Sequence, residues 1–229
     1  FRNVLAHYPE SSYVAHNNIG NVYRLQGDME KAIAEYELAL AIREHPKTLS
    51  NLGAAYRRQG KIEQALSTYR RALELKADST DARFGLGIVY NELRQYPEAE
   101  TEYRAAIASN PTYARAYVNL GSVLQLQGRL DEAAEILERG IDADPYLPEA
   151  WYNYGVVLGK QGKLPDAAAA YERAVELEPA SIPARLNLAI AYYSLGQEWE
   201  ADAIEQFRLV LRLDPDNKTA RSALQQIGG

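Results

Sequence analysis

The chain has 229 residues, 47% of them apolar and 24% charged, so it can bury a core and does not have the composition of a disordered protein. Its formal charge of −6 gives no electrostatic reason to expect nucleic acid as a partner, and no apolar run is long enough for membrane insertion. The absence of cysteine excludes disulfides and thiolate chemistry but leaves the compartment open; we expect a soluble protein, with the cytoplasm favoured.

One motif recurs along almost the whole chain. Its copies are NNIGNVYRLQG from Asn17, SNLGAAYRRQG from Ser50, FGLGIVYNELR from Phe84, VNLGSVLQLQG from Val118, YNYGVVLGKQG from Tyr152 and LNLAIAYYSLG from Leu186. They recur every 33 or 34 residues, and each is followed by a second motif such as DAAAAYERAV. Because apolar residues recur at i, i+3, i+4 and i+7 in both motifs, each copy predicts two helices.

In chain order, the motifs predict six helix pairs. We place them at residues 13–45, 46–79, 80–113, 114–147, 148–181 and 182–217. A glycine turn separates the two helices of most pairs, and a proline often follows the second helix. The turn glycines and the prolines therefore recur with the same period as the motifs. We expect a single repeat array over 1–229.

The two ends of the array differ from its middle. Residues 1–12 fit the end of a preceding second helix, with Phe1 and Pro9 in the expected columns, so we interpret them as the end of a truncated repeat. Residues 218–229 predict one further helix, which carries polar residues such as Lys218. The last unit of a stacked array needs a polar outer face, so we interpret this helix as a cap.

One turn is longer than the others. From Gly196 to Ala203 there are two more residues than at the corresponding place in the other repeats, and the extra length displays Trp199. Insertions in surface turns are well tolerated, which favours a structural interpretation. A contact between Trp199 and a partner is the alternative.

These residues resemble the tetratricopeptide repeat, a helix-turn-helix unit of 34 residues. The fifth copy carries Trp151, Tyr154-Gly155, Leu158, Ala167, Tyr171, Ala174 and Pro179 in the family's pattern. The resemblance implies an all-α fold, a right-handed superhelix (α-solenoid) of antiparallel helix pairs. It also implies that the first helix of each pair lines the inner, concave wall.

A column of glycines lies on the buried face of the predicted first helices. Its members are Gly20, Gly53, Gly87, Gly121 and Gly155, with Ala189 in the last copy. Glycine costs about 1 kcal/mol against alanine inside a helix, so a packing reason is needed. We expect Gly155 to let two helices approach closely, with Ala167 and Ala174 opposite it and aromatic side chains filling the wider gaps.

A second column holds asparagine in five of six copies: Asn18, Asn51, Asn119, Asn153 and Asn187, with Gly85 in the third. At 100° per residue this column points away from the buried face, towards the expected groove. A side-chain amide both donates and accepts, so the column could hold the backbone of an extended peptide. The column resembles the asparagine ladder of O-linked N-acetylglucosamine transferases. The alternative is that each amide bonds to a neighbouring hairpin.

Other residues on the same arc extend this candidate peptide-binding groove. Its apolar members in the later copies are Phe84, Ile88, Val118, Tyr152, Val156, Ile190 and Tyr193. Its basic members in the first two copies are Arg24, Lys47, Arg57 and Arg58. An exposed apolar strip is typical of a binding site, although we assign about half of it to packing between first helices. For the basic residues, plain solvation is the alternative.

Two kinds of chemistry are not predicted. Some relatives clamp the terminal carboxylate of chaperones; Asn17, Asn21 and Asn51 match the first positions of that clamp, but Asp81 and Gly85 replace its last basic groups. We therefore predict Asn21 only as a residue of the candidate peptide-binding groove. The sequence also has no metal-ligand spacing and no catalytic motif, so we expect no enzyme activity, metal or cofactor.

We therefore predict a non-enzymatic interaction scaffold that binds extended segments of partner proteins in its concave groove. Two alternatives stay open. The chain could be the substrate-recognition segment of a larger enzyme, such as a glycosyltransferase. It could also self-assemble into a homo-oligomer, one copy inserting a terminal helix into the groove of another.

Overall fold

The computed structural model describes residues 9–227, and this part of the chain contains thirteen α-helices and no strand. The first helices of successive pairs are α1 (Pro9–Leu25), α3 (Pro46–Arg58), α5 (Thr80–Glu92), α7 (Ala114–Leu126), α9 (Pro148–Lys160) and α11 (Ile182–Leu195). The second helices are α2 (Met29–Ile42), α4 (Ile62–Leu75), α6 (Tyr96–Ser109), α8 (Leu130–Ala143), α10 (Leu164–Leu177) and α12 (Glu200–Leu213). A last helix, α13 (Lys218–Ile227), follows.

The predicted all-α fold of antiparallel helix pairs is confirmed. Helices α3, α5, α7, α9 and α11 begin at the residues where we placed the second to sixth repeats. Helix α1 begins at Pro9, so residues 9–12 belong to the first helix of a pair and not to the end of a preceding one. Proline is favoured at the start of a helix because its missing N–H has no helical partner there. The rest of that assignment, residues 1–8, lies outside the described residues.

The turns inside the pairs require a left-handed backbone. Gly60 and Gly162 have φ of +74° and +78°, values that glycine adopts at little cost. In the third pair Arg94 occupies this place with φ of 59°. The sequence gives no turn glycine there, and the turn forms with the same handedness nevertheless.

The described residues up to Pro111 form one compact unit. In it, α1 packs with α2, α3 with α4 and α5 with α6. Each second helix also contacts the next first helix, and α3 contacts both α1 and α5. The first helices therefore lie side by side within this unit.

The residues from Thr112 onwards form a second compact unit with the same pattern. Here α7 packs with α8, α9 with α10 and α11 with α12, while α9 contacts both α7 and α11. Helix α13 packs on α12 and buries Ala220. Its remaining described residues are half-buried or exposed.

The glycine column receives a large side chain from the second helix of the same pair. A β-carbon at Gly155 would lie 2.7 Å from Cε1 of Tyr171, and one at Gly20 would lie 2.6 Å from Cε1 of Tyr36. Both distances are too short for any side chain. Ala167 and Ala174 are buried, as expected, but a tyrosine ring and not an alanine lies opposite Gly155.

The lengthened turn folds back onto its own unit. A short 3₁₀ helix (Gln197–Trp199) leads into α12, and the ring of Trp199 stacks on Tyr192 with centroids 5.1 Å apart and planes at 10°. The hydroxyl of Tyr192 donates to Glu172 at 2.6 Å. Trp199 is 38% exposed, so most of this side chain is occupied by intramolecular packing.

Candidate functional site

In the first unit, part of the asparagine column forms hydrogen bonds between helices. The amide nitrogen of Asn51 donates to Oδ1 of Asn21 at 3.2 Å, and the hydroxyl of Tyr36 donates to the same oxygen at 2.8 Å. Asn21 thereby joins α1, α2 and α3. Asn18 is exposed, and its side chain makes no hydrogen bond among the described residues.

A buried polar group adjoins this network. Thr48 is fully buried; its Oγ1 lies 2.7 Å from the hydroxyl of Tyr13 and donates to Oδ1 of Asn17 at 3.0 Å. The corresponding residues of the other repeats are alanines, such as Ala82 and Ala116. Sequence reasoning missed this contact, although one hydroxyl in a column of alanines was a signal for it.

The four basic candidates divide into two kinds. Arg57 forms an ion pair with Glu92 of α5 and reaches the hydroxyl of Tyr69, while Arg24 reaches the hydroxyl of Tyr36. Burial raises the pKa of Tyr69 to about 12, and the nearby Arg57 only partly opposes that rise. These two arginines are therefore partly used within the fold.

Lys47 and Arg58 are the other two basic candidates. Both side chains are exposed, and neither forms an ion pair in the described part of the chain. Among the four basic candidates, these two offer positive charge without an ion pair in the described part of the chain.

The third repeat breaks the asparagine column because of a neighbouring ring. A β-carbon at Gly85 would overlap Cε1 and Cζ of Tyr69, which comes from α4. Next to it, Phe84 lies against Tyr103 with ring centroids 5.8 Å apart. Phe84 and Ile88 are both half-buried, so each offers only part of its surface to a ligand.

In the second unit the asparagines also have different partners. Asn153 donates to the carbonyl oxygen of Glu149 at 2.8 Å, and its Oδ1 lies 3.4 Å from Oγ of Ser122 on α7. Asn187 lies near the hydroxyl of Tyr171 and partly opposes the rise in its pKa that burial causes. Asn119 is half-buried, and its side chain makes no hydrogen bond within residues 9–227.

The apolar candidates of the second unit differ in exposure. Val118 is only 8% exposed and packs in a cluster with Ile141 and Ala150, so it belongs to the core and we remove it from the candidate surface. Its burial follows from the contact that α9 makes with both α7 and α8. Ile190 and Tyr193, at 42% and 49%, are exposed on α11.

A cavity of about 300 Å³ lies between α9, α10 and α11. It is lined by Val156, Gly159, Lys160, Leu164, Ala167, Tyr171, Asn187, Ile190, Ala191 and Ser194. Burial raises the pKa of Tyr171 to about 12, so its hydroxyl stays neutral at physiological pH. The cavity brings together three predicted groove residues, Val156, Asn187 and Ile190.

A smaller cavity of about 90 Å³ lies beside Tyr152, near the first turn of α9. The ring of Tyr152 also contacts that of Tyr171, with centroids 6.1 Å apart. Glu149 and Glu178 line this cavity and make it acidic. Tyr152 therefore lies between an acidic recess and the apolar interior.

The described part of the chain contains neither a metal-ligand cluster nor a membrane-spanning helix. No group of three or more histidine, aspartate or glutamate side chains there is arranged to hold a metal ion. None of its helices combines the length and the apolar character needed to cross a membrane.

Family comparisons agree with the repeat architecture. The family described as the C-terminal ARM domain of tetratricopeptide repeat protein 21 matches residues 50–226, more than half of the chain. A tetratricopeptide repeat family matches residues 11–78. The chain is a member of the tetratricopeptide repeat family. No curated protein matches its sequence.

Several solved structures share the fold of this tetratricopeptide repeat protein. PilF of Pseudomonas aeruginosa has a TM-score of 0.83 at 18% identity, covering 95% of this chain and 99% of PilF. YrrB, described as a tetratricopeptide repeat protein with an unusual peptide-binding site, has a TM-score of 0.63 at 25% identity, covering 78% of this chain and 91% of YrrB. MamA of Desulfovibrio magneticus RS-1 has a TM-score of 0.61 at 23% identity, covering 74% and 97%.

Proposed function

We propose that this tetratricopeptide repeat protein is a non-enzymatic scaffold that binds an extended peptide segment of a partner protein along its first helices. The observation that carries the proposal is the open surface of the second unit, where Ile190 and Tyr193 are exposed beside a cavity of about 300 Å³. Exposed apolar side chains around a recess are typical of a binding surface and are unfavourable without one.

The hydrogen bonds of the asparagines narrow the proposed peptide contacts. A side-chain amide has two donors and one acceptor oxygen with two lone pairs, so an asparagine with one internal bond keeps capacity for a ligand. Asn119, with none, keeps all of it. We therefore assign Asn119 and Asn18 the main backbone contacts, and Asn51, Asn153 and Asn187 a share of structure and a share of binding.

Exposed cations in the first unit favour the binding of acidic ligand residues. Lys47 and Arg58 in the first unit are exposed cations in a protein of net charge −6. A peptide with carboxylates would meet attractive charge at these side chains. The peptide-binding site named for YrrB supports a peptide as the ligand class, because that relative has the same repeat fold.

The test is selection of a ligand followed by measurement of its affinity. Random peptides displayed on phage would be selected on the wild-type chain, and the enriched peptide titrated by calorimetry into wild type, Asn119→Ala and Tyr193→Ala. We expect each variant to weaken binding about 5-fold to 30-fold, the loss of one good contact. Ala169→Gln, on an exposed position of α10, is the control and should bind as wild type.

Selection that enriches no peptide, or an enriched peptide that binds both groove variants as tightly as the control variant, would overturn the proposal. Self-assembly gives a separate result. Light scattering that shows a mass increasing with concentration, reversed by Tyr193→Ala, would identify a second copy of the chain as the ligand.

A further inference from the structure

The fifth repeat lacks a side chain that every other repeat has. Four residues after each member of the buried glycine column, the six repeats carry Arg24, Arg57, Asn91, Gln125, Gly159 and Tyr193. Five of these side chains are long or polar, and only Gly159 has none. Gly159 also stands inside α9, where glycine costs about 1 kcal/mol against alanine.

The first unit shows what a side chain does in this column. Arg24 reaches the hydroxyl of Tyr36, and Arg57 reaches the hydroxyl of Tyr69. In both repeats, then, the side chain lies near the tyrosine of its own second helix. The equivalent tyrosine of the fifth repeat is Tyr171, and Asn187 of the next repeat lies near it and lines the same cavity.

Gly159 is not required for close packing. A β-carbon there would lie 3.8 Å from Oη of Tyr171 and 3.9 Å from Cβ of Ala167, which are ordinary contacts. At Gly155, one turn earlier, the corresponding distance to Tyr171 is 2.7 Å. The fold would therefore accept a side chain at 159 and not at 155, and the space it would occupy belongs to the cavity of about 300 Å³.

The cavity walls define the chemistry of an occupant. Val156, Leu164 and Ile190 make them largely apolar, which favours an aliphatic or aromatic group. Lys160 also lines the cavity; it is exposed and forms no ion pair in the part of the chain that the structure describes. A carboxylate beside the apolar group would pair with this ammonium.

We infer that the missing side chain at Gly159 creates a specificity pocket for one large apolar side chain, leucine or phenylalanine, that neighbours an acidic residue in the partner's extended segment. The volume lies at the lower end of the range of ligand pockets, about 300–1,000 Å³, which suits a single side chain. The inference rests on the proposed peptide-binding function and specifies the sequence that this part of the surface selects.

The experiment compares selections on three forms of the full chain. A phage library of random peptides is selected on wild type, on Gly159→Gln, which introduces the residue found at Gln125, and on Ile190→Asp, which places a carboxylate in the exposed wall. Circular dichroism and thermal melting check that each variant folds. Ala169→Gln on the outer face of α10 is the matched control.

We expect peptides enriched on wild type to carry leucine or phenylalanine beside aspartate or glutamate. Their affinity should fall at least 10-fold for Gly159→Gln and for Ile190→Asp, and stay unchanged for Ala169→Gln. Peptides that bind both pocket variants as tightly as wild type, or that lack the apolar and acidic pair, would overturn the pocket and leave peptide binding intact. A library that yields no ligand on wild type would overturn both.

Discussion

The ring of Tyr69 fills the space that side chains at both Gly53 and Gly85 would need. A β-carbon at Gly53, in the same helix pair, would lie 2.8 Å from Cε1 of the ring, and one at Gly85, in the next pair, would overlap Cε1 and Cζ. One buried tyrosine thus fixes the identity of two residues in different repeats. It also explains why the asparagine column is interrupted at Gly85.

Gly85→Asn would complete the asparagine column and still destabilise the protein. The new side chain must displace the ring of Tyr69, which is 2% exposed. Overpacking of this kind costs about 1–3 kcal/mol. Denaturant unfolding followed by circular dichroism would measure the loss, and stability equal to wild type would contradict the role given to Tyr69.

Gly159→Ala should have the opposite effect. The added methyl makes only ordinary contacts with Tyr171 and Ala167, and alanine favours a helix over glycine by up to about 1 kcal/mol. We expect the free energy of unfolding in the same denaturant assay to rise by about 0.5–1 kcal/mol. A decrease would show that this glycine, like Gly155, is needed for packing.

Removing the hydroxyl of Tyr103 should leave stability unchanged or raise it. Its Oη is buried and has no hydrogen-bond partner in the described part of the chain, so Tyr103→Phe removes an unsatisfied polar group. Tyr36→Phe is the comparison, because that hydroxyl donates to Asn21 at 2.8 Å. We expect Tyr36→Phe to cost about 0.5–1.5 kcal/mol in thermal or denaturant unfolding, and Tyr103→Phe to cost less.

The start of α3 should depend on pH through His45. Its Nδ1 accepts from the backbone N–H of Lys47 at 3.2 Å and caps the helix, which requires the neutral imidazole. Burial, and then the charges of Arg43 and Lys47, lower the pKa of His45 below its ordinary value of 6.5. Stability from this cap is therefore complete above about pH 6.5 and is lost as pH falls through the lower pKa of the folded protein.

The measurement is an NMR titration of the His45 ring together with unfolding at several pH values. His45→Asn is the control, because asparagine also caps helices but does not titrate. As pH falls below 6.5, we expect wild type to lose up to about 1 kcal/mol of stability relative to this variant. A pKa of His45 above 6.5 would contradict the prediction.

Trp199 should contribute to stability through its stack on Tyr192. Trp199→Ala removes a parallel ring contact at 5.1 Å, which is worth about 0.5–1.5 kcal/mol beyond the buried area. Tyr146→Ala, at an aromatic residue that is 73% exposed, is the control and should change stability little. Equal effects of the two substitutions in denaturant unfolding would show that the lengthened turn is not held by this stack.

The repeat period, the helix pairs, the starts of five first helices and the buried glycine column were all predictable from the sequence. Helical periodicity and turn residues act over a few positions, so they can be read without knowledge of the neighbours. The six copies also supplied their own comparison, because a departure in one column stands out against the other five. Arg94, in a left-handed turn without glycine, shows the limit of such local rules.

Only the tertiary structure decided which side chains are buried or hydrogen-bonded within the fold. Asn51 bonds to Asn21 across 30 residues of chain, Val118 is buried under the next helix pair, and Tyr69 excludes a side chain at Gly85. The open space at Gly159 likewise depends on the distances to α10 and α11. Periodicity assigns a residue to a face of its helix, whereas burial and hydrogen bonding depend on what the neighbouring helices bring within a few ångströms of it.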